Sequence, residues 1–76
     1  MIATLREARR LAKLAWGKRA GVAVGVVGPY RVYATADENG TPPVAFLNHL
    51  AVYAPNRRVA LAMLCAGLRE IVDAKH

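Results

Sequence analysis

Six basic side chains crowd into the first nineteen residues: Arg6, Arg9, Arg10, Lys13, Lys18 and Arg19, against one acid, Glu7. Guanidinium and ammonium groups at that density suit one chemistry above others, which is to meet phosphates and release the counterions condensed on a nucleic acid. The rest of the chain is far less charged. Residues 20–56 carry a net −1 and residues 57–76 a net +2, so the opening segment holds +5 of the total +6. A face kept for solubility alone interleaves both signs; this one does not. Arg57 and Arg58 form a second, smaller basic pair. Arg6, Arg9, Arg10, Lys13, Lys18, Arg19, Arg57 and Arg58 are therefore the candidate contacts to nucleic acid, DNA or RNA, or to another polyanion. The same residues would serve an acidic surface on a larger protein, where charge steers encounter and fixes register.

Groups for catalysis are scarce. His49 and His76 are the only imidazoles, and His76 is the last residue. Cys65 is the single thiol. It has no partner for an internal disulfide or a metal pair, which fits a reducing compartment such as the cytoplasm. It falls in the apolar stripe of the last helix, where a thiol is an inert core group. Asp37 and Glu38 are read as neighbours on a hairpin loop, and Glu70 and Asp73 as solvent-side helix residues. No nucleophile–base pair and no metal spacing emerges, so the chain reads as non-enzymatic, with no cofactor and no metal. Two short motifs also fail. Gly25-Val26-Val27-Gly28 has the letters of the GXXG backbone clamp of KH domains, but there the motif joins two helices and here it sits in a strand and turn. Trp16-Gly17-Lys18-Arg19 lacks the preceding glycine and following Ser or Thr of a phosphate loop.

The basic cluster needs an element to hold it, and the spacing predicts a helix over about residues 2–16. At about 100° per residue, Ile2, Leu5, Ala8, Leu11, Ala12, Ala15 and Trp16 share one half of the wheel, while Arg6, Arg10 and Lys13 lie opposite. Thr4 is the expected N-cap, Glu7 would complete a capping box, and Gly17 is the stop. "GVAVGVV", residues 21–27, alternates as a strand, with Gly25 marking a bulge or a close backbone approach. A tight "GPY" turn leads into "YRVYATA", residues 30–36, with Tyr30, Val32, Ala34 and Ala36 toward the core. "DENGTPP" is the clearest loop, and its Asn39-Gly40 pair signals a hairpin turn. The segment after it, residues 44–53, is compatible with strand or helix; the hairpin signal favours the strand. Arg31, Tyr33, Thr35, Leu47, His49 and Tyr53 would then share the outer sheet face, with Arg31, Tyr33, His49 and Tyr53 as candidate stacking contacts.

The last helix is expected over about residues 56–74, capped by Asn56. Leu61, Leu64, Cys65, Leu68, Ile71 and Val72 form its core stripe. Val59, Ala62, Met63 and Ala66 lie away from that stripe, and Val59, Met63 and Ala66 are read as a self-association face.

The expected fold is a single α+β domain over residues 1–76, in the order α-β-β-β-α, with a three-stranded antiparallel meander and two helices packed on one face. With 55% hydrophobic but only 7% aromatic residues, the core must be Val, Leu and Ala around a Trp16 plug. Small cores of that kind are often supplemented by oligomerisation, so a homodimer is expected. No apolar run approaches the roughly 20 residues of a membrane span, and the N-terminus lacks the order of a secretory signal. The functional expectation is a small nucleic-acid-binding accessory or regulatory protein. The alternative is a protein-interaction module, a small regulator or inhibitor of phage or mobile-element type, docking on an acidic partner.

Overall fold

Helix α1, Leu5–Trp16, owes its limits to two residues. Thr4 holds an extended backbone (φ −118°, ψ 164°) and its Oγ1 accepts a hydrogen bond from the Glu7 N–H at 3.1 Å. The helix thus begins three residues later than the apolar pattern alone suggests, because an N-cap is itself non-helical. At the other end Gly17 adopts φ 104° and donates its N–H to the Lys13 carbonyl at 2.8 Å. A side chain is strained at that φ, so glycine is the residue that lets the chain leave the helix here. The computed structural model describes residues 3–29, 31–39 and 48–75. Ile2, Tyr30, residues 40–47 (with Gly40, Phe46 and Leu47) and His76 lie outside them.

Three strands follow, β1 (Gly21–Gly28), β2 (Arg31–Asp37) and β3 (His49–Ala54), antiparallel and in sheet order β1-β2-β3. The register sets Val24 opposite Ala34, and Ala34 opposite Val52. Gly25 is the site of the close approach. A Cβ there would lie 2.5 Å from Oη and 2.6 Å from Cε1 of Tyr33, so the ring rests on the glycine. The bulge comes just beyond, where the register shifts between Val26 and Gly28.

Strands β2 and β3 form the antiparallel pair the sequence leads one to expect. The last link between the strands is Glu38 to Asn48, through Glu38 N–H to the Asn48 carbonyl at 2.9 Å and Asn48 Nδ2 to Glu38 Oε1 at 2.8 Å. Gly40 of the turn signal and residues 44–47 of the expected strand lie outside the described residues, and the described part of β3 runs from His49 to Ala54. From His49 onward the strand assignment holds.

Helix α2, Arg57–Lys75, is capped by Asn56, whose Oδ1 accepts the Val59 N–H at 2.9 Å. It completes the α-β-β-β-α order, and both helices cover the same face of the sheet. That face presents Val22 and Val24, Val32, Ala34 and Ala36, and Leu50, Val52 and Ala54 to the core. Ala8, Leu11, Ala12 and Ala15 of α1 and Ala60, Leu61, Leu64, Cys65 and Leu68 of α2 meet them. Leu64, Leu68 and Cys65 are the largest side chains wholly withdrawn from solvent. Trp16 is not the central plug expected; it is half-buried at the rim. The alanines let backbones approach closely, leaving no room for an indole inside.

Candidate nucleic-acid interface

On α1 the side chains of Arg6, Arg9, Arg10 and Lys13 are all exposed. Their positions span an arc of about 100° of the helix, opposite the buried stripe of Ala8, Leu11, Ala12 and Ala15. Since that stripe faces the sheet and α2, the basic ridge points outward from the helix layer.

The sequence offered Glu7 as the ridge's one local counter-charge, and the structure shows what it does. Arg10 grips it with two hydrogen bonds, Nη2 to Oε1 at 2.6 Å and Nε to Oε2 at 3.0 Å. Arg69 of α2 adds a longer contact, Nη2 to Oε1 at 3.7 Å. The hydrogen bond from Arg10, then the charges of Arg10 and Arg69, hold the Glu7 carboxyl below its ordinary value; Glu7 in turn raises Arg10. Glu7 thus serves as an ion-pair partner in addition to supplying the N–H that Thr4 caps. Among the described residues, Arg10 is the one ridge residue with its charge answered. Arg6, Arg9, Lys13, Lys18 and Arg19 make no ion pair among the described residues.

The other candidate contacts, Lys18 and Arg19 and the Arg57–Arg58 pair, fall at the two ends of α1. Arg57 and Arg58, exposed in the first turn of α2, border an open cleft of about 490 Å³ with Ala3, Thr4, Leu5 and Leu61. Lys18 and Arg19 border another, of about 410 Å³, with Trp16, Glu38 and Asn39. Leu5, Arg9 and Trp16 are spaced i, i+4, i+11 and so lie in one row along α1. The row runs from the Arg57–Arg58 cleft, past Arg9, to the Lys18–Arg19 cleft. The placements of Trp16 and of the Arg57–Arg58 pair beside α1 were not readable from local sequence.

The sheet residues form a separate surface. Arg31, Tyr33 and Thr35 share the face away from the helices with His49, Ala51 and Tyr53, and Tyr33 stands opposite Tyr53. This face and the α1 ridge are on opposite sides of the molecule, so one ligand surface does not meet both sets. Tyr33 lies over Gly25 and is half-buried, while Tyr53 is 55% exposed. On α2, Val59, Met63 and Ala66 are exposed as the self-association reading requires of them.

Asp37 corrects another expectation. It is not on a loop but ends β2, only 2% exposed, and neither carboxyl oxygen has a hydrogen-bond partner among the described residues. His49 stands directly across the ladder. Burial pushes the Asp37 carboxyl up, and the charge of His49 pulls it partly back. A carboxyl raised in the fold favours the protonated form. Its contribution to stability is therefore greatest below the ordinary aspartate range and declines as pH rises through it. Asp37→Asn should accordingly stabilise the protein at pH 7, by about 1 kcal/mol. The gain should close as pH falls toward about 4, as read by urea unfolding at a series of pH values.

Cys65 is a buried free thiol, raised by that burial. Among the described residues no group of three His, Cys, Asp or Glu side chains could hold a metal ion, and no helix is long and apolar enough to cross a membrane. No family model matches the chain, and no curated protein or solved structure is significantly similar to it.

Proposed function

We propose that this protein binds nucleic acid without catalysing a reaction, as an accessory or regulatory factor, and that α1 is the element that tracks phosphates. Arg6, Arg9 and Lys13 are the principal contacts, with Lys18 and Arg19 at one end and Arg57 and Arg58 at the other. The observation that carries this is the unanswered charge of the ridge: four basic side chains on one face, of which, among the described residues, only Arg10 has a carboxylate. Like charges so placed weaken an isolated helix, and a polyanion relieves them. The helix is about 18 Å long, a length over which a duplex presents roughly ten phosphate charges. Contacts of this kind position a protein on a backbone and carry no base sequence.

The test is a salt titration of binding to a random-sequence duplex, DNA and RNA in parallel. Trp16 is the sole tryptophan and borders the Lys18–Arg19 cleft, so its emission can report the complex. Three unpaired ridge residues plus the flanking pairs should give a slope of log affinity against log salt between about −3 and −6. A flat titration defeats the proposal. Tight one-to-one capture of an acidic protein that survives nuclease treatment would favour the interaction-module alternative instead.

A further inference from the structure

Among the described residues, strand β1 is an edge of the sheet with no strand on its outer side. It pairs only with β2, and among the described residues no turn, loop or cap hydrogen bond reaches its backbone. Its eight residues, GVAVGVVG, contain no charge and no proline. Native edge strands are normally blunted by a lysine, a proline or shortness. The other edge follows that rule: β3 has six residues, opens on His49 and is followed by Pro55. Over residues 21–26 β1 has no such device; its bulge and Pro29 come only at the end.

A row of unpaired N–H and C=O groups is satisfied best by another extended backbone. The strand whose pattern fits here is β1 itself. In antiparallel two-fold pairing centred on Val24, Val22 meets Val26 of the second copy on the helix side, and Ala23 meets Gly25 on the outer side. Every pair is apolar and small, with no like charges opposed. Val26 supplies an independent observation. It shares the helix-side face with its ladder partner Val32, yet is 76% exposed, more than any other large apolar side chain described. Pairing would lay it against Val22 of the second copy, which packs against the core.

We infer that two copies of this chain associate through their β1 edges, forming a continuous six-stranded sheet with four helices on one face. Because α1 packs on β1 and β2, the two α1 helices become neighbours in the helix layer. Their basic ridges then form one wider cationic surface. Mutual repulsion of those ridges opposes pairing, so association should strengthen as salt rises, the opposite sign to phosphate binding.

The experiment is sedimentation of the full chain over a range of concentrations, without nucleic acid, at low and moderate salt. The expected species has twice the 8.2 kDa chain mass. Val26→Lys, at a position exposed in the single chain, should leave a folded monomer, whereas Met63→Glu on the outer face of α2 should leave the dimer intact. In the wild type, amide exchange of residues 21–26 should slow at least tenfold as concentration is raised, a readout that needs no variant. A wild type monomeric at every concentration overturns the inference. So does dissociation by Met63→Glu with Val26→Lys still dimeric, which would move the interface to α2. None of these outcomes depends on whether the protein binds nucleic acid.

Discussion

Arg6→Ala/Arg9→Ala/Lys13→Ala should bind a random-sequence duplex about 500-fold more weakly than the wild type at about 0.1 M salt, with the salt slope reduced by about 2.7. Both figures come from one source: each phosphate contact contributes roughly 0.9 to the slope, and so about 0.9 log unit of affinity at that salt. The fold should survive, since all three side chains are exposed and alanine is the better helix former. Equal far-UV circular dichroism would confirm it. The Glu7 pair supplies a sharper control. Arg10 is engaged by Glu7 at 2.6 Å and 3.0 Å, so Arg10→Ala should cost less than Arg6→Ala. Glu7→Gln should do the reverse, releasing Arg10 and raising affinity by up to about eightfold. A general loss of positive charge would make Arg10 equal to its neighbours. If the triple variant keeps the wild-type slope, α1 does not track phosphates.

Much of the ridge was legible because it depends on a local period. Thr4 and Gly17 mark the ends of α1, and the buried and exposed sets alternate at helical spacing. The sheet was legible where one face is covered and the other is not: Val32, Ala34 and Ala36 inward, Arg31, Tyr33 and Thr35 outward. The sequence failed where the deciding contact is distant in the chain. Arg69 reaches Glu7 from the far helix, and no window around Glu7 contains it. Arg57 and Arg58 come beside Leu5 only after the sheet has turned the chain back. Asp37 looks like a loop acid until the ladder extends through it to His49.

Leu64→Ala should leave most of the protein unfolded at room temperature. Leu64 is wholly buried, in a core whose other members are largely alanines. Removing a buried leucine side chain costs about 2–5 kcal/mol, and a core of this size supplies about 3–5 kcal/mol in total. The neighbouring Met63, 44% exposed, is the internal comparison, and Met63→Ala should cost under about 1 kcal/mol. Urea unfolding followed by Trp16 emission and circular dichroism reads both; a Leu64→Ala midpoint near that of the wild type would refute the claim. The same variant can link fold to function. A ligand that binds only the folded state at 100 times its dissociation constant adds about 2.7 kcal/mol, enough to restore much of what Leu64→Ala removes. Duplex should therefore refold Leu64→Ala, and should fail to refold it once Arg6, Arg9 and Lys13 are also alanine. Rescue in both backgrounds would mean that duplex grips the chain somewhere other than α1.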